Sequence, residues 1–316
     1  MTQPALTHLD TPDGHRIGVR LWQASVPAQG VLHWMHGMAE HGGRYGPLAE
    51  AVNAAGWHLC VHDHRGHGES VSDVSPRGHF GDQDGWQQLL GDITQVQQYL
   101  RDSFPALPQV LAGHSMGSFA ALAWAERHAN MLALDGLILC GSDHSPSWIF
   151  RLGRLPVLLE KMLRGPRGAS ALMRKLTFGS WARQVPDRKT DFDWLSAEPA
   201  HVQQYLSDPQ CGHDCTTQLW LDLLGGLAAS HSKAAMRQLP PQLPILLIAG
   251  DSDPMSRCGK GVPALARALK AAGNQSVTLR EYPGGRHEIL NDCCRAQVHR
   301  DLIRWLQPLM QGAIKG

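Results

Sequence analysis

Short apolar runs alternate along this chain with longer stretches of helical periodicity. Residues 5–9 and 16–23 read as strands on either side of Thr11-Pro12-Asp13-Gly14, a hairpin turn signal. Residues 30–35 and 57–62 are further strands, and a helical stretch over 45–55 joins them. Over 84–104 the apolar positions Trp86, Leu89, Leu90, Ile93, Val96, Tyr99 and Leu100 fall at helical spacing. Val110-Leu111-Ala112 is a buried strand, 118–128 an Ala- and Leu-rich helix, and 137–140 another buried strand. The alternation then stops, and residues 145–238 read as helices and loops without a convincing β-run. It resumes with a strand at 243–249, a helix at 263–271, a strand at 276–282 and a closing helix at 293–311. Strands alternating with helices demand a mostly parallel sheet covered on both faces. The pattern therefore predicts an α/β core from residues 1–144 and 239–316, with 145–238 inserted as a helical cap.

The sharpest chemical signal lies between a strand and a helix. Gly113-His114-Ser115-Met116-Gly117 matches the G-x-S-x-G nucleophile elbow and sits in the strand–turn–helix context that the motif requires. Glycines two positions either side of Ser115 relieve the crowding of so tight a turn. The serine then stands at the first turn of a helix, where backbone N–H groups favour a developing negative charge. A serine nucleophile needs a base, and the base needs an orienting carboxylate. Both follow in chain order. Gly250-Asp251-Ser252-Asp253-Pro254 comes just past one strand, and Pro283-Gly284-Gly285-Arg286-His287-Glu288 just past the next. His287 is the expected base. Asp253, deeper in its loop, is preferred to Asp251, which suits a turn cap. The expected oxyanion donors are the backbone amides of Met116 and of Met38, the latter in the loop His36-Gly37-Met38 after the third strand.

Composition narrows the possibilities. A net charge of +1 and the lack of a Lys/Arg cluster interleaved with aromatics argue against a nucleic-acid partner. No apolar run approaches bilayer length, and the acidic start of the chain is no signal peptide. Seven scattered cysteines fit reduced thiols and a cytoplasmic setting better than a disulfide framework. Eighteen histidines include no H-E-x-x-H motif, and His62-Asp63-His64 with His67 reads as a structural loop. No metal is expected from these spacings.

Three motifs in combination resemble the α/β-hydrolase superfamily, and within it the monoacylglycerol lipase and lysophospholipase-like branch. They are the run from His36 through Gly37, Met38, Glu40 and Arg44 to Tyr45, the run Asp63-His64-Arg65-Gly66-His67-Gly68-Glu69-Ser70, and the elbow around Ser115. The run Thr190-Asp191-Phe192-Asp193-Trp194-Leu195-Ser196 with Asp208-Pro209-Gln210-Cys211-Gly212 resembles bacterial members, so the likeness extends over nearly the whole chain. The resemblance implies a serine esterase without a cofactor, acting on a small ester with an acyl chain, with a cap that shapes an acyl tunnel and transient contact with a lipid surface. It also implies substrate contact for His36, Gly37, Glu40, Arg44 and His114. Glu40 and Arg44 have a second reading as a structural ion pair. The cap positions Trp148, Ile149, Leu152, Leu155, Leu158, Leu159 and Met162 read as a buried helix face or as an acyl-binding wall. Rival activities on the same scaffold are an aminopeptidase, a lactonase or a thioesterase. For an aminopeptidase, Glu160, Asp187, Asp191, Asp193 and Glu198 would be the candidate anchors for an ammonium group. A non-catalytic binding protein would call for a degenerate triad, and all three members are present.

Overall fold

Five central strands are mostly apolar and buried along their whole length because both of their faces are covered. In the computed structural model, which describes residues 3–309, these are β3 (Gly30–Met35), β4 (Trp57–His62), β5 (Gln109–His114), β6 (Gly136–Cys140) and β7 (Ile245–Gly250), each buried throughout. With β1 (Ala5–Asp10), β2 (Arg16–Trp22) and β8 (Val277–Tyr282) they form one eight-stranded sheet in the order β1-β2-β4-β3-β5-β6-β7-β8. β2 runs antiparallel to its neighbours on both sides, and every pair from β4 to β8 is parallel.

Alternate residues feed opposite faces. Leu32, Trp34, Val110, Ala112, Ile138, Leu246 and Ile248 pack with α1 (Gly46–Ala54) and α11 (Arg295–Leu306). Met35, Leu111, Leu137, Leu139, Ile245 and Leu247 pack with α2 (Gly85–Ser103), α3 (Met116–His128) and α10 (Gly261–Ala272). Strand order reverses between β3 and β5, since β4 lies beyond β3 on one side and β6 beyond β5 on the other. Open α/β sheets bind ligands outside the carboxyl ends of the strands at such a switch point.

Between β6 and β7 lie α4 (Ser147–Arg164), α5 (Ala171–Leu176), α6 (Phe178–Ala182), α7 (Pro199–Ser207), α8 (Thr217–Ser230) and α9 (Lys233–Met236). The only β-pairing there among the described residues is the isolated bridge Ala169–Thr216. Element ends shift by a few residues from the sequence pattern. Tyr45 closes a 3-10 turn before α1, and β7 starts at Ile245, after Pro244. The closing helix ends at Leu306, while Met310 and Gln311 of its expected span lie outside the described residues.

One expectation is corrected. Trp148, Ile149, Leu152, Leu155, Leu158, Leu159 and Met162 form neither a buried face nor a cavity wall, because all are exposed, Met162 at 82%. α4 packs against α8 with Val157, the buried position of that helix, and leaves its broad apolar stripe outward.

Candidate active site

β5 delivers Ser115 to the switch point in a strained conformation, with φ at +53°. Three hydrogen bonds hold the turn. The Ser115 amide donates to Cys140 O at 2.9 Å, and the Ser118 amide (2.9 Å) and hydroxyl (2.6 Å) both donate to Ser115 O. The flanking glycines have a steric cause: a Cβ on Gly113 would sit 2.2 Å from Gly117 O, and one on Gly117 would sit 2.4 Å from Met35 O. Met116 opens α3, so its amide has no partner within the helix. The Met38 amide, in the loop after β3, has no acceptor among the described residues. Met38, Ser115 and Met116 line one cavity together with His287.

The loops after β7 and β8 bring the base and a carboxylate together. His287 Nδ1 donates to Asp253 Oδ2 at 2.9 Å, and both side chains are buried. Asp253 Oδ1 accepts from the Met255 amide at 2.8 Å. Burial by itself pushes the Asp253 carboxyl up, but the His287 charge and these hydrogen bonds outweigh it and hold it below the usual range. Asp251 is exposed and accepts from the Gly284 amide at 2.8 Å, tying its own loop to the histidine loop. The two loops touch so closely that a Cβ on Gly250 would lie 1.9 Å from Gly285 O.

Around this pair sits a buried ion network. Arg44 donates to Glu40 at 2.6 Å and bidentately to Glu288 at 2.7 Å on each side. Glu40 also accepts from the Gly37 amide, from Tyr45 Oη at 3.1 Å and from His114 Nδ1 at 3.2 Å. The other His114 nitrogen lies 3.2 Å from His287 O. Both ring nitrogens of His114 therefore face acceptors, which only the doubly protonated imidazolium satisfies. Burial lowers its pKa, but the Glu40 carboxylate more than compensates and the net shift is upward. Burial likewise pushes Glu40 up, and Arg44 and His114 together hold it well below its ordinary value. The network links the loop carrying Met38 to the loop carrying His287.

Of the residues implicated in substrate contact, Gly37, Glu40 and His114 line the cavity, whereas His36 and Arg44 do not. His36 is fully buried, with Nδ1 donating to Gly37 O at 2.7 Å and Nε2 accepting from the His64 amide at 3.0 Å. The Asp63 loop is a hydrogen-bonded brace, because Asp63 accepts from the amides of Gly42 (2.6 Å) and Glu69 (2.8 Å) and pairs with Arg20.

Sequence reasoning missed the cavity's aromatic wall of Phe178, Trp181, Trp194 and Trp220, and also Glu288. Trp194 leans on His287 with ring centroids 5.0 Å apart, and the Trp194 and Leu195 carbonyls accept from the amides of His287 and Glu288. The one available signal was the concentration of aromatics within 145–238, which lacks a period. Glu288 was legible only as the neighbour of His287.

The chain is 28% identical over 295 residues to a monoacylglycerol lipase of Mycolicibacterium smegmatis, covering 93% of each chain. It is 29% identical to the monoglyceride lipase of Rattus norvegicus, over 89% of this chain and 83% of that one. Among solved structures, a thermostable carboxyl esterase from Bacillus coagulans superposes with a TM-score of 0.87 at 27% identity, covering 98% of this chain and 100% of that one. Residues 26–293 match the hydrolase family described as serine aminopeptidase, S33, and the chain belongs to that family of α/β hydrolases.

Proposed function

We propose that this chain hydrolyses lipid-like monoesters, of monoacylglycerol or lysophospholipid type, through an acyl-enzyme on Ser115. In this reading His287 takes the serine proton through Nε2, the ring nitrogen left free by Asp253, and returns it to the leaving alcohol. Asp253 keeps the proton on Nδ1 and stabilises the imidazolium. The amides of Met38 and Met116 receive the oxyanion. Water activated by His287 then releases the acid. The relatives named as monoacylglycerol and monoglyceride lipases support the ester class.

The observation that carries the choice of bond is the state of the carboxylates on the cavity wall. These are Glu40, Asp143 and Glu288, and each is already paired with an arginine. An aminopeptidase needs an unpaired anion for the substrate's ammonium, whereas a neutral ester with an acyl chain needs apolar walls. Phe119, Phe150, Met173, Leu223 and Leu224 add such walls to the aromatic ones.

Helix α4 supports contact with a lipid surface. Its outward stripe includes Leu159 at 64%, Met162 at 82% and Leu163 at 87% exposure. Arg151, Arg154, Lys161 and Arg164 lie on the same helix, with Glu160 its one acidic residue. That is the composition of a helix lying in a membrane interface. No helix among the described residues is long and apolar enough to cross a membrane. Seven free cysteines fit a reducing, cytoplasmic setting.

The test compares monoacylglycerols of increasing chain length with p-nitrophenyl esters and amino-acid anilides, using Ser115→Ala as the blank. Turnover is expected to peak on medium or long monoacylglycerols and to vanish in the variant. Serine-dependent turnover of anilides above that of esters would overturn the reading.

A further inference from the structure

Folding brings one side chain against two that lie far from it in the chain. His67, in the loop after β4, meets His213 and Cys215, just ahead of α8. One ligand atom from each lies within 4.8 Å of the other two. The two rings stand 5.1 Å apart between centroids. Each imidazole has its Nδ1 against a backbone carbonyl, His67 at 3.1 Å from Arg65 O and His213 at 3.2 Å from Gln210 O. A carbonyl accepts only, so Nδ1 carries the proton and Nε2 carries the lone pair. Both Nε2 atoms are buried without a hydrogen-bond partner. A carbonyl that fixes the tautomer and leaves Nε2 free is the arrangement of metal-binding histidines.

We propose that His67, His213 and Cys215 bind a thiophilic transition-metal ion of the zinc class, and that the ion staples the helical insertion to the loop following β4. Two imidazoles and a thiolate suit such an ion and leave its fourth tetrahedral position to water. Metal–ligand lengths at a tetrahedral centre imply ligand atoms roughly 3.4–3.6 Å apart, so the side chains close by about 1 Å on binding. The backbone beneath them is already held, since Gly78 N donates to Gly66 O at 2.8 Å and Thr216 N to Gly78 O at 2.9 Å. Burial keeps the imidazoles neutral and ready to ligate, His67 well below its ordinary pKa and His213 down to about 4. The Cys215 thiol is pushed up by burial and loses its proton to solvent as the sulfur–metal bond forms. His213 is half-buried and opens the way in.

The spacing of His62, Asp63, His64 and His67 concealed this. His62 pairs with His33 at 2.8 Å, His64 with His36 O at 3.0 Å, and Asp63 with two amides, and of that group it is His67 that meets His213 and Cys215. The neighbouring group His41, Asp208 and Cys211 is different. His41 Nδ1 accepts from the Gly43 amide and Nε2 donates to Asp208, so neither nitrogen is available.

The experiment titrates metal-free, full-length protein with Zn2+ by calorimetry and with Co2+ by absorption. Expected are one ion per chain, proton release, a thiolate-to-cobalt charge-transfer band and a thermal midpoint raised by Zn2+. Cys215→Ala and His213→Gln should each weaken binding at least about 10–100-fold, and Cys215→Ala should abolish the band. Cys211→Ser should leave both intact. Metal-free melting curves of each variant check that the fold is retained, and the half-buried His213 is the position least able to disturb it. Wild-type affinity in both Cys215→Ala and His213→Gln, or no uptake of either ion, overturns the proposal. None of these readouts depends on hydrolytic activity.

Discussion

Replacing Arg44 by methionine tests whether the Glu40–Arg44–Glu288 network holds the fold together or meets the substrate. Methionine keeps much of the arginine's reach and removes its charge. The guanidinium supplies one charge-assisted hydrogen bond to Glu40 and two to Glu288, all at 2.6–2.7 Å. Both carboxylates are almost fully buried, Glu40 at 3% and Glu288 at 5% exposure. Removing one partner of a buried pair costs about 3–5 kcal/mol because a charge is left uncompensated. Here two carboxylates lose their partner, yet the His114 imidazolium still faces Glu40. The uncompensated charge is then Glu288 alone, so the expected loss is about 3–5 kcal/mol and not twice that. Urea unfolding at neutral pH measures it, with an unchanged m-value as the check that only stability moved. Adding Glu288→Gln to Arg44→Met should recover part of the loss, and the double-mutant cycle isolates the pair. The folded fraction should show a lower kcat with KM nearly unchanged, because Arg44 links the loops carrying Met38 and His287 from outside the cavity. A loss below about 1 kcal/mol, the range of exposed pairs, would refute the buried-network reasoning. A raised KM with intact stability would point to direct substrate contact.

Three further outcomes are expected. Asp253→Asn should lower kcat by about 10⁴-fold through the wrong imidazole tautomer, whereas Asp251→Asn should keep activity within about tenfold; equal losses would reverse the choice of aspartate. His114 has a folded pKa raised above its ordinary 6.5. Its contribution is therefore fully present below pH 6.5 and is lost as pH rises through the folded value. Denaturation of wild type and His114→Gln over a pH series should show a gap that narrows upward, and a gap independent of pH would remove the imidazolium. Substituting Leu159, Met162 and Leu163 together by serine should weaken sedimentation with anionic vesicles while leaving turnover of a water-soluble p-nitrophenyl ester unchanged, and undiminished sedimentation would exclude α4 as the contact.

What the sequence revealed follows from where short-range rules apply. β3, β4, β5, β6 and β7 were legible because strands covered on both faces read as near-continuous apolar runs. The elbow was legible because two glycines are required four positions apart, one against Gly117 O and the other against Met35 O. Asp253 and His287, which the structure pairs, were singled out by their place past strand ends, a topological rule that needs no side-chain detail. The insertion defeated the same approach. Its helical stripe from Trp148 to Met162 has the period of a buried face, and period alone cannot tell a core from an exposed apolar surface. The aromatic wall draws one or two residues from each of several short elements, so no window of sequence contains it. The cluster at His67 escaped for the same reason, since nearly half the chain separates it from His213 and Cys215.

The electrostatics of the cavity wall separate an ester substrate from an amine. Around the cavity, Glu40 and Glu288 are matched by Arg44 and His114, and Asp143 by Arg257, so the wall is neutral overall although it carries three carboxylates. The presence of acidic groups is then no guide to binding an amine; their pairing is. An ammonium entering this cavity would lose its hydration and find every anion already satisfied, whereas a neutral acyl ester loses little and gains the apolar wall. Arg44→Met changes that balance by one unit without placing a new group in the cavity. Among variants that still fold, it should therefore bind a cationic ester more tightly relative to its uncharged isostere than wild type does, and an unchanged ratio would mean that solvent, not the network, sets the potential at Ser115.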